Sequence, residues 1–210
     1  NLYIADPKNN RIVVLDEYYS LMFEISTFKN DLGAGDDALL NCSGVFVWEG
    51  LEVSDDGSYT PAKYIYVADT GNRRIVVFDE NGGYVRIVGE PSSDIFDEGQ
   101  LYTPTALAVD STGRMYVVST STYQGIISLS SDGEFEQFVG AQKASYSAWD
   151  LFWRKFQTAE QIAASEQIIS SEYNNITIDE KDFIYITTNS TDESDRAGAI
   201  SSKSSDYAPV

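Results

Sequence analysis

Apolar and β-branched residues fall in short runs along this chain, and Asp, Asn and Gly punctuate the runs. Leu2-Tyr3-Ile4, Arg11–Leu15, Ser43–Trp48, Tyr64–Ala68 and Arg74–Phe78 are early examples. Short runs of this kind bounded by turn formers predict strands, and two of them joined by a polar turn predict a hairpin. Later runs repeat the grammar at 104–110, 114–119, 125–129 and 135–140, then at 173–179 and 182–188. The predicted class is all-β.

The runs are also spelled alike. Residues 2–23 read LYIADPKNNRIVVLDEYYSLMF, and residues 64–85 read YIYVADTGNRRIVVFDENGGYV. At a constant offset (66 − 3 = 63), positions 2–17 match identically at ten of sixteen places, including Tyr3/Tyr66, Asp6/Asp69, Asn9/Asn72 and Arg11/Arg74. Corresponding tyrosines fall at 3, 66, 116 and 185, so the units are 63, 50 and 69 residues apart. Each unit reads as strand, Asp-x-x-Asn-x-Arg turn, β-branched strand, Asp/Asn/Gly turn and a third strand. A further strand (SGVFVW at 43–48, PTALAVD at 104–110, YNNITID at 173–179) precedes each later unit. Four antiparallel strands per repeated unit predict β-propeller blades, because one such unit cannot bury both its faces alone.

Tyr-Val-Ala-Asp-Thr-Gly-Asn-x-Arg-Ile-Val at 66–76 resembles the signature of the NHL-repeat family of β-propellers. The first unit is similar, with Pro7-Lys8 where Thr-Gly is usual. The third departs, with Ser119 in place of the turn Asp and Gln124 near the Arg position, and the fourth keeps only the strand pattern. The resemblance implies a six-bladed wheel in which the first strand of each blade lines a central channel. Blades are expected at about 1–28 (partial), 43–89, 104–140 and 173–210, with an insertion at 141–172. At about 61 residues per unit, (185 − 3)/3, the chain supplies three full blades and part-blades. It is therefore expected to be a segment of a longer protein, a bacterial NHL-repeat protein on the resemblance. Its exposed strand edges would favour self-association.

Charge narrows the function classes. There are 33 acidic against 14 basic residues, a formal charge of −19, and no histidine. Nucleic-acid affinity rests on Lys and Arg contacts with phosphates, so an RNA or DNA partner is not expected. A histidine-free chain has no catalytic triad of the Ser-His-Asp kind and no HExxH zinc site. The lone Cys42 forms no intrachain disulfide and lacks a histidine to activate it. No apolar run is long enough for a membrane-spanning helix.

Candidate residues follow from the turns and insertions. Asp6, Asn9, Arg11, Asp69, Asn72 and Arg74 recur once per unit, which marks them as a structural turn motif. Arg73 stands beside the repeated Arg74 where the first unit has Asn10, and is a candidate receiver for a carboxylate or anionic sugar. Insertions lie at Phe28–Cys42, Glu49–Lys63, Glu90–Thr103 and Ala141–Glu172, and loops on a rigid framework commonly hold binding sites. The last reads as helical over about 147–166, with capping boxes at Ser147–Asp150 and Thr158–Gln161. Its stripe of Trp149, Phe152, Trp153 and Phe156 packs the helix onto the framework or, with Tyr123 and Tyr146, forms an aromatic platform.

Acidic pairs such as Asp36-Asp37, Asp55-Asp56 and Asp179 with Asp182 raise calcium as a ligand, but no EF-hand spacing is present, and solvated turns are the default. No cofactor is expected. Asn41, Asn175 and Asn189 fit the N-glycosylation pattern.

The resemblance admits two function classes. One is a non-enzymatic scaffold that binds a protein, carbohydrate or small molecule, in an exported bacterial surface or transport-associated system. The other is a lyase- or lactonase-like enzyme with a metal or carboxylates in the channel. The family's zinc lyase uses histidine ligands, which this chain lacks, and its RNA-binding branch uses a basic face. The inner strands offer Ser43, Thr105, Asn174 and Asn175 rather than carboxylates, so the scaffold is preferred and no catalytic residue is assigned. Substituting Trp149 and Trp153 by Ala should lower the melting temperature by several degrees, the signature of packing. Intact stability with lost ligand binding would make them a platform instead.

Overall fold

The computed structural model describes residues 1–30, 36–53, 57–91, 101–120, 125–140 and 172–189. It is all-β, built from antiparallel sheets that follow one another along the chain. The first sheet holds β1 (Leu2–Asp6), β2 (Arg11–Leu15) and β3 (Leu21–Ile25), and a small ladder pairs β4 (Thr27–Lys29) with β5 (Asp36–Ala38). The second is a meander of β6 (Cys42–Val53), β7 (Tyr59–Asp69), β8 (Arg74–Asp79) and β9 (Tyr84–Val88). The third repeats it with β10 (Pro104–Val109), β11 (Met115–Ser119), β12 (Ile126–Leu129) and β13 (Phe135–Val139). A final pair joins β14 (Glu172–Ile178) to β15 (Ile184–Asn189). No helix among the described residues is long and apolar enough to cross a membrane.

The repeated β-branched runs form these strands because they are buried on both faces. Alternate side chains of a strand point to opposite sides of its sheet. On β7, Ile65 and Val67 face the first sheet and pack with Ile12 and Val14, whereas Tyr66 and Ala68 face the third and pack with Leu107, Met115 and Val117. The third sheet does the same, turning Tyr116 and Val118 toward Ile176, Ile184 and Ile186 of the last pair. The stack leaves one face open: Leu2 and Ile4 on β1 are 43% and 39% exposed, while their second-unit counterparts Ile65 and Val67 are fully buried.

The polar turn of each unit is tied together by its own motif. The Asp69 carboxylate, fully buried, accepts from Arg74 Nε (2.7 Å), Asn72 Nδ2 (2.9 Å) and the Leu40 backbone N–H (2.7 Å). Asp6 accepts likewise from Arg11 Nε (3.0 Å) and Asn9 Nδ2 (2.8 Å). Arg74 then reaches the β4–β5 ladder, where it forks onto both oxygens of Asp37 at 2.7 and 2.9 Å and lies over the Phe28 ring. The sequence reading takes residues 28–42 as an insertion; folded, this stretch supplies the second carboxylate for the motif arginine. In the third unit, where a hydroxyl replaces the carboxylate, the Thr103 N–H donates to Ser119 Oγ (3.1 Å).

In the Glu49–Lys63 insertion, residues 49–53 pair with 59–63 and extend the β6–β7 ladder to Val53 opposite Tyr59. The helix expected over 147–166 and the region 190–210 lie outside the described residues.

The Arg74 guanidinium holds the Asp37 carboxyl at about 2, down from 3.8. A carboxyl depressed on folding stabilises the fold above its unfolded pKa and loses that stabilisation as pH falls through its folded one. Its side chain is 23% exposed, and the shift corresponds to about 2 kcal/mol. Asp37→Asn should therefore lower stability at pH 6 by about 2 kcal/mol, with the difference from wild type shrinking between about pH 4 and pH 2 in urea unfolding. A pH-independent difference would show that the ion pair is not its source.

Candidate functional site

The first strands of the last three sheets, β6, β10 and β14, run side by side and share an irregularity. Each slips register at one place, between Cys42 and Gly44 opposite Asp69, between Pro104 and Ala106 opposite Ser119, and between Tyr173 and Asn175 opposite Thr188. The skipped residues are Ser43, Thr105 and Asn174. A bulge bends its strand and re-aims the extra side chain. All three side chains line one cavity of about 490 Å³, shared with Asn175, Gly44, Ala5, Phe46 and Thr177.

The cavity lining holds hydroxyls, amides and apolar groups, and no ionisable side chain. Ser43 donates to the Asn41 carbonyl at 3.2 Å, and Thr105 to the Val118 carbonyl at 3.3 Å, so their remaining lone pairs are acceptors. Asn175 Oδ1 accepts from the Ile176 N–H (2.9 Å), which leaves its NH₂ group to donate. Asn174 is exposed to the cavity. The set can hydrogen-bond a neutral polar ligand in both senses.

The turn motif and the cavity are connected. Thr70, in the second unit's turn, donates to the Pro104 carbonyl at 2.6 Å and sits 2.9 Å from Ser43 Oγ. It thereby pins the first strand of the next sheet next to the bulge of its own. Reasoning from the repeat finds Asp69, Asn72 and Arg74 but misses Thr70, whose partner lies 34 residues away. Beside Ser43, the Cys42 thiol is fully buried, donates to the Arg11 carbonyl (3.3 Å), and is pushed up to about 11 by burial and then by the nearby Asp69. It is a packed thiol, not a nucleophile.

Arg73 does not reach the cavity. It occupies the left-handed region (φ 54°), is half exposed, and lies 3.9 Å from Glu90. The first unit has Asn10 there in the same conformation, accepting from the Asn41 N–H at 2.7 Å. Tyr123, Tyr146, Trp149 and Trp153 lie outside the described residues. The described acidic turns are engaged internally. Asp179 accepts from the Lys181 and Phe183 N–H groups and the Tyr185 hydroxyl, and Asp182 accepts from Ser111. No cluster of three or more metal-ligating side chains occurs among the described residues.

No family model matches the sequence, and no curated protein matches it. The reading of the site rests on the residues themselves.

Gly44 sets the width of the cavity wall. A Cβ there would lie 2.7 Å from the Thr105 carbonyl oxygen and 3.1 Å from Ala106 Cα, both backbone of β10. Val is the better strand former, yet Gly44→Val should destabilise by about 1–3 kcal/mol because the neighbouring backbone must move. Unfolding in urea decides; a stabilised variant would show that the strands are free to part.

Proposed function

We propose that the chain is part of an NHL-type β-propeller that serves as a non-enzymatic binding scaffold, with a neutral hydrogen-bonding ligand held at its inner strands. The observation that carries this reading is the convergence of Ser43, Thr105 and Asn174, from equivalent bulges of three successive strands, on one uncharged cavity. Consecutive four-stranded meanders packed face to face, and the resemblance at 66–76, support the propeller. The ligand class that suits hydroxyl acceptors and amide donors is a sugar ring or a peptide segment.

The open face of β1 supports a further unit or a second copy packing against it, as the first sheet packs on Ile65 and Val67. The resemblance and the acidic composition are the grounds for placing it in an exported bacterial surface or transport-associated system.

Ligand-observed NMR against neutral oligosaccharides and capped peptides tests the reading. Binding should weaken about 10-fold or more in the double variant Thr105→Val, Asn174→Ala, since two hydrogen-bonding groups are lost, with circular dichroism unchanged. No binder in either panel, or turnover of a lactone or peptide substrate that the double variant abolishes, would replace the scaffold with another function.

A further inference from the structure

A second cavity, of about 540 Å³, opens at the opposite ends of the strands from the Asp-Asn-Arg turns. The β6–β7 ladder continues past the Trp48–Tyr64 pair to Val53–Tyr59, whereas β10 ends at Val109 and turns at 110–113. The face of the second sheet that packs on the third therefore runs on beyond it. Trp48, Tyr64 and Tyr66 line the cavity from that face, and the turn residues Ser111, Thr112 and Ser131 line it from the third sheet.

Arg86 distinguishes this cavity, which it lines from β9. Arginine is otherwise matched by carboxylates among the described residues: Arg11 pairs with Asp6 and Glu24, Arg73 with Glu90, Arg74 with Asp37 and Asp69, and Arg114 with Glu136. The partly buried Arg86 forms no ion pair with any described residue. A cation drawn from water without a counter-ion is unfavourable, and a bound anion relieves it. The carboxylate in the same lining, Glu52, stands at the other end. Arg86 is level with Val77 and Tyr66, but Glu52 lies opposite Thr60, six residues along β7 or roughly 20 Å of backbone. Glu52 already accepts from the Tyr64 hydroxyl at 2.6 Å.

Most of the remaining lining is apolar or already bonded. The Trp48 and Tyr64 rings stack at 6.0 Å and 18°, and the indole N–H is used on the Asp110 carbonyl (2.8 Å). Ser111 and Thr112 give their hydroxyl protons to Asp182 and Asp110, both at 2.6 Å. A ligand there meets aromatic surface and one forked cationic donor. The guanidinium fork matches the two oxygens of a carboxylate, and a flat apolar body suits the rings. A single negative charge neutralises Arg86, whereas a phosphate would bring nearly two to a chain of charge −19.

We propose that this cavity binds a monocarboxylate carried on a flat apolar body, an arylalkanoic acid. Isothermal titration of 3-phenylpropionate into the protein tests it. Beside it, 3-phenylpropanamide keeps the body and loses the charge, and acetate keeps the charge and loses the body. The acid should bind about 10-fold or more tightly than the amide, the loss expected for a charge-assisted hydrogen bond. It should exceed acetate by at least as much, through burial of the ring. Arg86→Gln removes a charge that has no counter-ion, so it should fold as the wild type and bind acid and amide alike. Arg86→Lys, which keeps the charge without the fork, should fall between. Absence of 3-phenylpropionate binding overturns the proposal, as does equal affinity of the wild type for the amide or for acetate. A preference for acid over amide that survives in Arg86→Gln overturns it too.

Discussion

The buried carboxylate of Asp69 is the constraint on which the rest depends. A carboxylate withdrawn from water is tolerable only when its lone pairs are filled and its charge is matched. Here Asn72 and Leu40 supply N–H donors and Arg74 supplies the charge. Each partner belongs to a different piece of chain: the turn itself, the incoming connection and the outgoing strand. Satisfying one side chain therefore fixes the path by which the chain enters the second sheet and turns from β7 into β8. Arg74, completed by Asp37, carries the constraint on to the β4–β5 ladder.

From that node the geometry of the first strands of the second and third sheets follows. Leu40, held by Asp69, leads directly into β6, where the bulge at Ser43 begins the cavity lining. Thr70, next in sequence to Asp69, bonds the first residue of β10. One turn thus positions two neighbouring strands, β6 and β10, and Gly44 lets their backbones approach where a side chain would separate them. The third unit shows how much of this is dispensable. Ser119 keeps a bond to the incoming connection but brings no carboxylate charge, yet β10–β13 form the same four-stranded order. Burial of Tyr116, Val117 and Ile127 holds that sheet, in line with packing rather than polar contacts as the main source of stability.

What could be read in the sequence was what repeats. The offset of 63 residues exposed the strands and the Asp-Asn-Arg turn, since identical local spelling reflects identical local bonding. The inner-strand polar residues Ser43, Thr105, Asn174 and Asn175 were legible as residues, but not as a cluster. Their convergence depends on bulges, and a one-residue slip reverses which face a side chain takes. Asp37 was illegible because its partner Arg74 is 37 residues distant and the intervening β4–β5 ladder is only three residues per strand. The same holds for Trp48, Glu52 and Arg86, which carry no shared pattern and meet at one cavity of about 540 Å³ where the β6–β7 ladder outruns the neighbouring sheet.

The two cavities divide polar chemistry in a way that the charge of −19 does not suggest. An acidic surface makes the mean potential negative and repels anions at a distance. The cavity at the first strands is nonetheless free of ionisable lining, so its walls offer hydrogen bonds and shape rather than charge. The second cavity, of about 540 Å³ at the opposite ends of the same strands, has Arg86 and Glu52 in its lining beside the stacked Trp48 and Tyr64 rings. The net charge of the chain therefore describes neither cavity, because the local field near a wall is set by the few charges that line it rather than by the sum over the surface.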